Sequence, residues 1–239
     1  MEKNNLISKV RYAILLLMCD KIIPIRYGHH LRGWLMERFP DQPLVSHHQD
    51  SGRSVYMYPR VQSKIVAGNA LILGIDEGVD FITEIISHPP SCLSLNREDF
   101  IVKNVLHEQA SSIFGVVGVV HQYKFLTPWL GLNQENYRNY SRTVASKERQ
   151  NLLASILIGN VLSAAKSLGI MLAEQIEVRP FLKPIRVHFK GKSMIGFNGT
   201  FRANLHLPDL IGLGKSVSRG FGTVIRITDK NGSNLITDN

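Results

Sequence analysis

Two pairs of adjacent histidines are the residues of this sequence most suited to proton-transfer chemistry. The chain has nine histidines, and His29-His30 and His47-His48 each place two imidazoles side by side. An imidazole both donates and accepts protons near neutral pH, so either pair suits general acid–base catalysis. Adjacent side chains on extended backbone point to opposite sides, so one member of such a pair is expected to face a reacting group. The alternatives are a solvated loop for His47-His48 and an exposed helix start for His29-His30.

A glycine-rich segment, Gly212–Gly222, is the second candidate for chemistry. A Walker A loop would need glycine at the position of Asp209, and a dinucleotide-binding fingerprint would need a small residue at the position of Val217, so neither motif is present. What remains is a loop with four glycines and two cations, Lys215 and Arg219. Glycines let backbone N–H groups approach phosphates, which indicates an anion-binding loop. An ordinary glycine-rich hairpin is the alternative.

Composition and charge limit the classes of protein to which this sequence can belong. The 239 residues include 28 Lys and Arg against 19 Asp and Glu, a net charge of +9. This excess favours a polyanionic partner, although it also fits a merely basic protein. With 44% hydrophobic residues the chain can bury a core, which excludes a largely disordered protein. The length suits one large domain or two small ones.

Neither the cysteines nor the N-terminal region indicates secretion. Cys19 and Cys92 are too few for a disulfide framework and fit a reduced compartment. The apolar run Tyr12–Cys19 is too short to span a bilayer and lacks the small residues of a cleavage site, so we expect a buried strand there. No His, Cys, Asp or Glu cluster has a familiar ligand spacing, so we expect neither a metal nor a cofactor. The sequence therefore predicts a cytoplasmic protein that makes no membrane contact.

The order of elements predicts the fold that must position these residues. Each half of the chain presents a strand, a helix, paired strands, a second short helix and a last strand. This is the β-α-β-β-α-β order of ferredoxin-like domains. In the second half, a long amphipathic helix begins near Ser146 and ends before Gly169. We therefore predict an α+β fold with two tandem ferredoxin-like (RRM-like) domains. The predicted domains are residues 1–115 and 116–228, followed by a tail at 229–239.

The glycine-rich segment, together with several other stretches in the same order, resembles a known family. The matching stretches are Leu31-Arg32-Gly33, Tyr58-Pro59-Arg60-Val61-Gln62-Ser63-Lys64, Leu126-Thr127-Pro128-Trp129, Ile158-Gly159-Asn160-Val161-Leu162-Ser163 and Lys166-Ser167-Leu168-Gly169. The sequence resembles the CRISPR-associated endoribonucleases that cut precursor crRNA at its repeats. These enzymes belong to the RAMP superfamily, and the likeness is to the type I-B branch. It extends from about residue 10 to residue 227.

The resemblance implies a metal-independent RNA endonuclease and assigns its candidate histidines. Such cleavage needs a base for the ribose 2′-hydroxyl, an acid for the leaving 5′-oxygen and cations for the phosphorane charge. Related sequences tend to carry His-Asn-His where this one has Ser46-His47-His48. His48 therefore matches the last histidine and is the first catalytic candidate, with His47 second. His29 and His30 are rivals, because other branches place a catalytic histidine near the first helix.

The same resemblance implies CRISPR repeat RNA as the partner. Arg60, Gln62 and Lys64 alternate along a strand, which predicts one RNA-facing strip or a merely solvated face. Lys190 and Lys192 lie near a hairpin tip, where they contact phosphates or keep the turn soluble. The glycine-rich loop would hold RNA through Gly212, Gly214, Lys215, Arg219, Gly220 and Gly222. Other effector subunits and a second copy of the chain are further partners that the resemblance leaves open. The alternative functions are a non-catalytic crRNA-binding subunit and, less favoured, a DNA-binding regulator.

Overall fold

Two antiparallel sheets, one in each half of the chain, organise this protein. The computed structural model describes residues 8–46, 57–189 and 191–228. The strands are β1 (Lys9–Cys19), β2 (Val61–Val66), β3 (Asn69–Ile75), β4 (Cys92–Leu95), β5 (Glu98–Ile113), β6 (Gly115–Phe125), β7 (Val178–Phe189), β8 (Lys192–His206) and β9 (Val224–Ile227). The helices are α1 (Gly28–Arg38), α2 (Pro43–Ser46), α3 (Glu77–Ser87), α4 (Gln134–Arg142) and α5 (Ser146–Ser167).

The strand orders are those of two ferredoxin-like domains. The first sheet has the order β2-β3-β1-β5-β4, in which β4 adds an edge strand, and the second has the order β7-β8-β6-β9. In both sheets the first strand of the domain lies in the interior and pairs antiparallel with its neighbours. The predicted α+β fold with tandem ferredoxin-like domains is confirmed.

The N-terminal sheet is covered on both faces, which explains the continuous apolar run of β1. Ala13, Leu15 and Leu17 pack with residues of α1 and α3 in one cluster, while Ile14 and Leu16 belong to a second cluster shared with the C-terminal half. Successive side chains of a strand point to opposite faces, so a strand buried on both sides is apolar at every position. The expected buried strand is therefore present.

Within the described part of the chain, the C-terminal sheet is covered on one face only. Tyr123, Phe125 and Phe201 are buried on its inner face, where the helix α5 contributes Leu157 and Val161 to the same core cluster. The helix ends at Ser167, and Gly169 follows with a φ of +71°, the left-handed conformation that glycine adopts without strain. The exposed residues of the opposite face include Lys124, Arg179, Lys183 and Arg202.

Some elements differ from the sequence prediction, for physical reasons. The helix α4 has Tyr140 as its one buried residue, so it presents no apolar stripe that a sequence pattern would reveal. In the second domain, the expected second helix is only a 3-10 turn, Val217–Arg219. Within the described residues, no helix is long and apolar enough to cross a membrane.

Candidate functional site

A cleft of about 890 Å³ separates helix α1 from the β7–β8 hairpin. One wall carries Arg26, His29 and Arg32, and the other carries Arg186 and His188. The floor is formed by the segment that follows β6 and by part of the glycine-rich loop, including Arg219. Across the part of the chain that is described, the lining holds four arginines and two histidines but neither Asp nor Glu. Such a lining selects for an anion.

Arg32 and Arg219 face the same space from different domains. Arg32 donates a hydrogen bond from Nη2 to the carbonyl oxygen of Val45 at 3.2 Å, which fixes its guanidinium on the cleft wall. Burial, followed by repulsion from the Arg219 guanidinium, lowers the pKa of Arg32 below its ordinary value. Two guanidinium groups that repel each other are stabilised by an anion placed between them. A phosphate group fits this requirement.

His29 is oriented by the backbone of its own turn. Its Nδ1 lies 2.9 Å from the carbonyl oxygen of Arg26, an acceptor, so the neutral ring carries its proton on Nδ1 and leaves the Nε2 lone pair available. The His30 ring lies against the His29 ring at a centroid distance of 3.9 Å, with the two planes tilted by 39°. Burial, followed by repulsion from His29, lowers the pKa of His30. Of the two, the cleft is lined by His29.

The predicted RNA-facing strip on β2 is wrong, because this face is covered by the C-terminal domain. Gln62 and Lys64 are fully buried. Lys64 Nζ donates to Gln62 Oε1 at 2.8 Å and to Thr223 Oγ1 at 3.3 Å, and the amide of Gly212 donates to the same Gln62 oxygen at 3.0 Å. These side chains therefore join the two domains rather than contact a ligand.

Arg60, the third member of that strip, also makes its contacts within the protein. Its Nη2 donates to the carbonyl oxygen of Ser167 at 2.8 Å, at the end of α5. Its Nε lies 3.0 Å from Glu77 Oε2 and its Nη1 lies 3.8 Å from Asp76 Oδ2, while only 15% of the side chain is exposed. The alternation along β2 does place the three side chains together, but on the domain interface.

The glycine-rich loop packs into the same interface, which corrects part of its predicted role. The amide of Gly212 donates to Gln62, that of Gly220 to the carbonyl oxygen of Val217, and that of Gly222 to the carbonyl oxygen of Pro128. These three amides are therefore not directed at phosphates.

Close packing explains why glycine occupies several of these positions. A Cβ on Gly222, where φ is +68°, would lie 1.9 Å from the carbonyl oxygen of Leu213. At Gly214, where φ is +91°, a Cβ would lie 2.7 Å from the indole nitrogen of Trp129. At Gly28, the first residue of α1, a Cβ would lie 2.7 Å from the carbonyl oxygen of Arg219. Glycine thus lets α1 and the loop approach closely enough to form the floor of the cleft.

Of the remaining predicted site residues, the structure describes Lys192 and Lys215. Lys192 is exposed at the start of β8, beside the cleft residue Gly191. Lys215 donates from Nζ to the carbonyl oxygen of Leu132 at 3.0 Å, and burial lowers its pKa. His47, His48 and Lys190 lie outside the described residues.

Sequence reasoning missed three cleft residues, Arg26, Arg186 and His188. They belong to unrelated local patterns, since Arg26 lies in a 3-10 turn before α1, whereas Arg186 and His188 lie on an exposed strand. Only the fold brings them together. Arg32 is part of the matching stretch Leu31-Arg32-Gly33, but the sequence pattern assigns no role to it.

Tandem ferredoxin-like domains with a basic cleft between them are the architecture expected of a RAMP-superfamily protein, and the family matches identify the chain as one. The Cas6b N-terminal domain matches residues 8–111 and the Cas6b C-terminal domain matches residues 115–227. The chain therefore belongs to the Cas6b family.

Two solved Cas6b structures and one further protein are similar to this chain. A crystal structure of Cas6b matches with a TM-score of 0.86 at 32% identity, over 92% of this chain and 100% of that chain. A crystal structure of the CRISPR RNA processing endoribonuclease Cas6b matches with a TM-score of 0.74 at 31% identity, with the same coverage. An uncharacterised protein of Methanocaldococcus jannaschii is 36% identical over 138 residues, which are 57% of this chain and 93% of that protein.

Proposed function

We propose that this protein is an endoribonuclease that cleaves CRISPR precursor RNA within its repeats to release mature crRNAs. The observation that carries the proposal is the interdomain cleft lined by four arginines and two histidines. A relative that matches 92% of this chain is a CRISPR RNA processing endoribonuclease. Phosphate contacts from arginine supply much of the affinity of a protein for RNA, so the cleft is the site proposed for the transcript.

The proposed reaction needs neither a metal nor a cofactor. The ribose 2′-hydroxyl loses its proton to a base and attacks the adjacent phosphorus, forming the O2′–P bond. The P–O5′ bond breaks, and an acid protonates the leaving oxygen. The products are a 2′,3′-cyclic phosphate and a 5′-hydroxyl. Arg32 and Arg219, which both line the cleft, stabilise the negative charge that develops on the phosphorane, and the hydrogen bond to Val45 holds the Arg32 guanidinium in place before the reaction begins.

His48 is proposed as the first proton-transfer residue, with His47 second. Support comes from the described part of the chain: the carbonyl oxygen of Val45 accepts the hydrogen bond from Arg32, a cleft residue. Val45 precedes His48 by three residues in the sequence, so the segment that carries His48 continues from a residue that contacts the cleft. His29 and His30 are the rival assignment, supported by the position of His29 on the cleft wall and by the tautomer that leaves a lone pair on its Nε2.

Single-turnover cleavage of a repeat RNA tests the proposal. We expect full activity in excess EDTA, a 5′-hydroxyl product, and no cleavage when a 2′-deoxy nucleotide precedes the scissile phosphate. His48→Ala should lower the cleavage rate at least about 100-fold with little change in the Kd for RNA, since proton transfer contributes that much to catalysis. The exposed His107 on β5 provides the control, and His107→Ala should leave the rate unchanged.

Each contrary result contradicts a different part of the proposal. Loss of cleavage in EDTA contradicts the metal-free reaction. Loss of cleavage in His29→Ala or His30→Ala, but not in His48→Ala, contradicts the assignment of His48. Tight binding of repeat RNA without product at any protein concentration favours the alternative, a crRNA-binding subunit without catalysis.

A further inference from the structure

The outer face of the C-terminal sheet carries a set of side chains that the cleft does not use. Residues paired directly on antiparallel strands point to the same face, so the register defines the members of this face. Three rows run across the strands β6, β8 and β7, and they are Gln122, Arg202 and Arg179, then Lys124, Thr200 and Phe181, then Asn198 and Lys183; on β9 the first two rows continue into Ile227 and Ile225. We call the eight residues on β6, β8 and β7 the outer face.

The charge of the outer face is entirely positive. Lys124, Arg179, Lys183 and Arg202 are all exposed and are the charged residues of these three rows, while the exposed Glu177 lies beyond the first row, beside Asn204. Four cations within three neighbouring rows repel one another in the absence of a ligand. A polyanion with regularly spaced charges relieves this repulsion along the whole face.

An aromatic ring lies among these cations. The Phe181 side chain is 42% exposed, although a large apolar group gains free energy from burial. The guanidinium carbons of Arg179 and Arg202 lie 5.5 Å and 5.9 Å from the centre of its ring. Exposed aromatic rings and guanidinium planes on an open sheet are the groups on which unpaired bases stack. The pairing of an aromatic ring with cations therefore favours a ligand that has both bases and phosphates.

The outer face is continuous with the cleft. Asn198 belongs to its third row and also lines the cleft. From Asn198 to Arg202 the strand β8 rises about 13 Å, at about 3.3 Å per residue. A strand of RNA that leaves the cleft beside Asn198 can therefore follow β8 along the outer face, where Asn198 and Arg202 are exposed.

We infer that the outer face binds single-stranded RNA, with one base stacked on Phe181 and the flanking phosphates contacted by Arg179, Arg202 and Lys124. The RNA is the part of the transcript that continues from the cleft, an identity that rests on the proposed function. Duplex RNA is excluded as the preferred ligand, because its bases are already stacked and cannot cover the ring. Binding to this face requires no cleavage.

Binding of a fluorescent 12-nucleotide oligouridylate to the full chain tests the inference. Phe181→Leu, which keeps apolar bulk but removes the ring, should weaken binding about ten-fold, whereas Phe181→Tyr should retain it. The double variant Arg179→Gln/Arg202→Gln should reduce the slope of log K against log salt by about 0.7 for each phosphate that its guanidinium groups no longer neutralise. Lys103→Gln, at an exposed position on β5 of the other sheet, is the matched control and should change neither quantity.

Crosslinking with a 4-thiouridine version of the same oligonucleotide locates the binding surface. We expect a crosslinked peptide that contains Phe181, also in an Arg32→Gln variant whose cleft is weakened. Three results would overturn the inference. The first is that Phe181→Leu and Phe181→Tyr bind the oligonucleotide equally well, and the second is that Phe181→Leu weakens the binding of duplex RNA as much as that of the single strand. The third is that no crosslink maps to β7 or β8. A wild-type protein that crosslinks at Phe181 but does not cleave repeat RNA contradicts the proposed function and leaves the inference intact.

Discussion

The two sheets share a fold but differ in what covers them, and this difference decides what their lysines do. Lys64 on β2 is fully buried where the C-terminal domain packs against the N-terminal sheet, whereas Lys124 on β6 is exposed on the outer face. Both belong to strands in which apolar and polar residues are mixed. The comparison teaches that a cation on a strand indicates a nucleic-acid contact only where nothing packs on that face of the sheet.

Among the residues that the structure describes, Lys64 has no carboxylate as a hydrogen-bond partner. Its ammonium group donates to the neutral oxygens of Gln62 and Thr223. Because burial penalises the charged form, it lowers the pKa of Lys64 from 10.5 to about 7. The stem of the side chain still contributes apolar surface to the domain interface. The residue is thus a structural contact of the interface.

Reversing the charge of each lysine is the test of the difference between the two sheets for which we expect the largest effect. Lys64→Glu places an unpaired carboxylate beside the oxygen of Gln62 and should lower the free energy of unfolding by about 3 to 5 kcal/mol. Lys124→Glu, at an exposed position, should change it by less than about 0.5 kcal/mol. Urea denaturation followed by circular dichroism measures both values. Equal effects of the two substitutions would show that the sheets do not differ in the way described.

We expect a change of pH to have a smaller effect on the free energy of unfolding. Between about pH 7 and the ordinary lysine pKa of 10.5, the unfolded chain binds more protons at Lys64 than the folded chain does, so the free energy of unfolding should rise with pH. The slope contributed by this group approaches about 1.4 kcal/mol per pH unit. Burial raises the pKa of the Cys19 thiol to about 11, and this opposes the rise near and above its ordinary value of 9.0.

Urea denaturation at a series of pH values from about 7 to 8.5 avoids most of the opposing effect of Cys19. The matched variant is Lys64→Met, which keeps the apolar stem and removes the titration. It should lie within about 1.5 kcal/mol of the wild type at pH 7 and should show a flatter pH dependence. The same slope in the two proteins would contradict the burial of a titrating lysine.

The apolar periodicity of the sequence is sufficient to predict the fold but not the use of its polar residues. The apolar run Ala13–Leu17 predicts a buried strand, and this prediction is correct because both faces of β1 are covered. The polar strip on β2 led to a wrong prediction, because nothing in the local sequence indicates that another domain packs on this face. Gln62 and Lys64 would have the same spacing on a solvated face.

The candidate site is only partly predictable for the same reason. Arg219 is conspicuous because it lies in a glycine-rich segment, and His29 because it has an adjacent histidine. Arg186 and His188 have no such neighbours, and they join the cleft through the pairing of β7 with β8. Distances in space between segments more than a hundred residues apart in sequence cannot be inferred from local patterns.

The most direct test of the central claim, that the interdomain cleft holds the RNA backbone, is the salt dependence of repeat-RNA binding. The double variant Arg32→Gln/Arg219→Gln should bind repeat RNA at least about ten-fold more weakly than the wild type. Its slope of log K against log salt should be smaller by about 1.4, or 0.7 for each single-strand phosphate that is no longer neutralised. An affinity and a slope equal to those of the wild type would contradict the claim and place the RNA elsewhere on the protein.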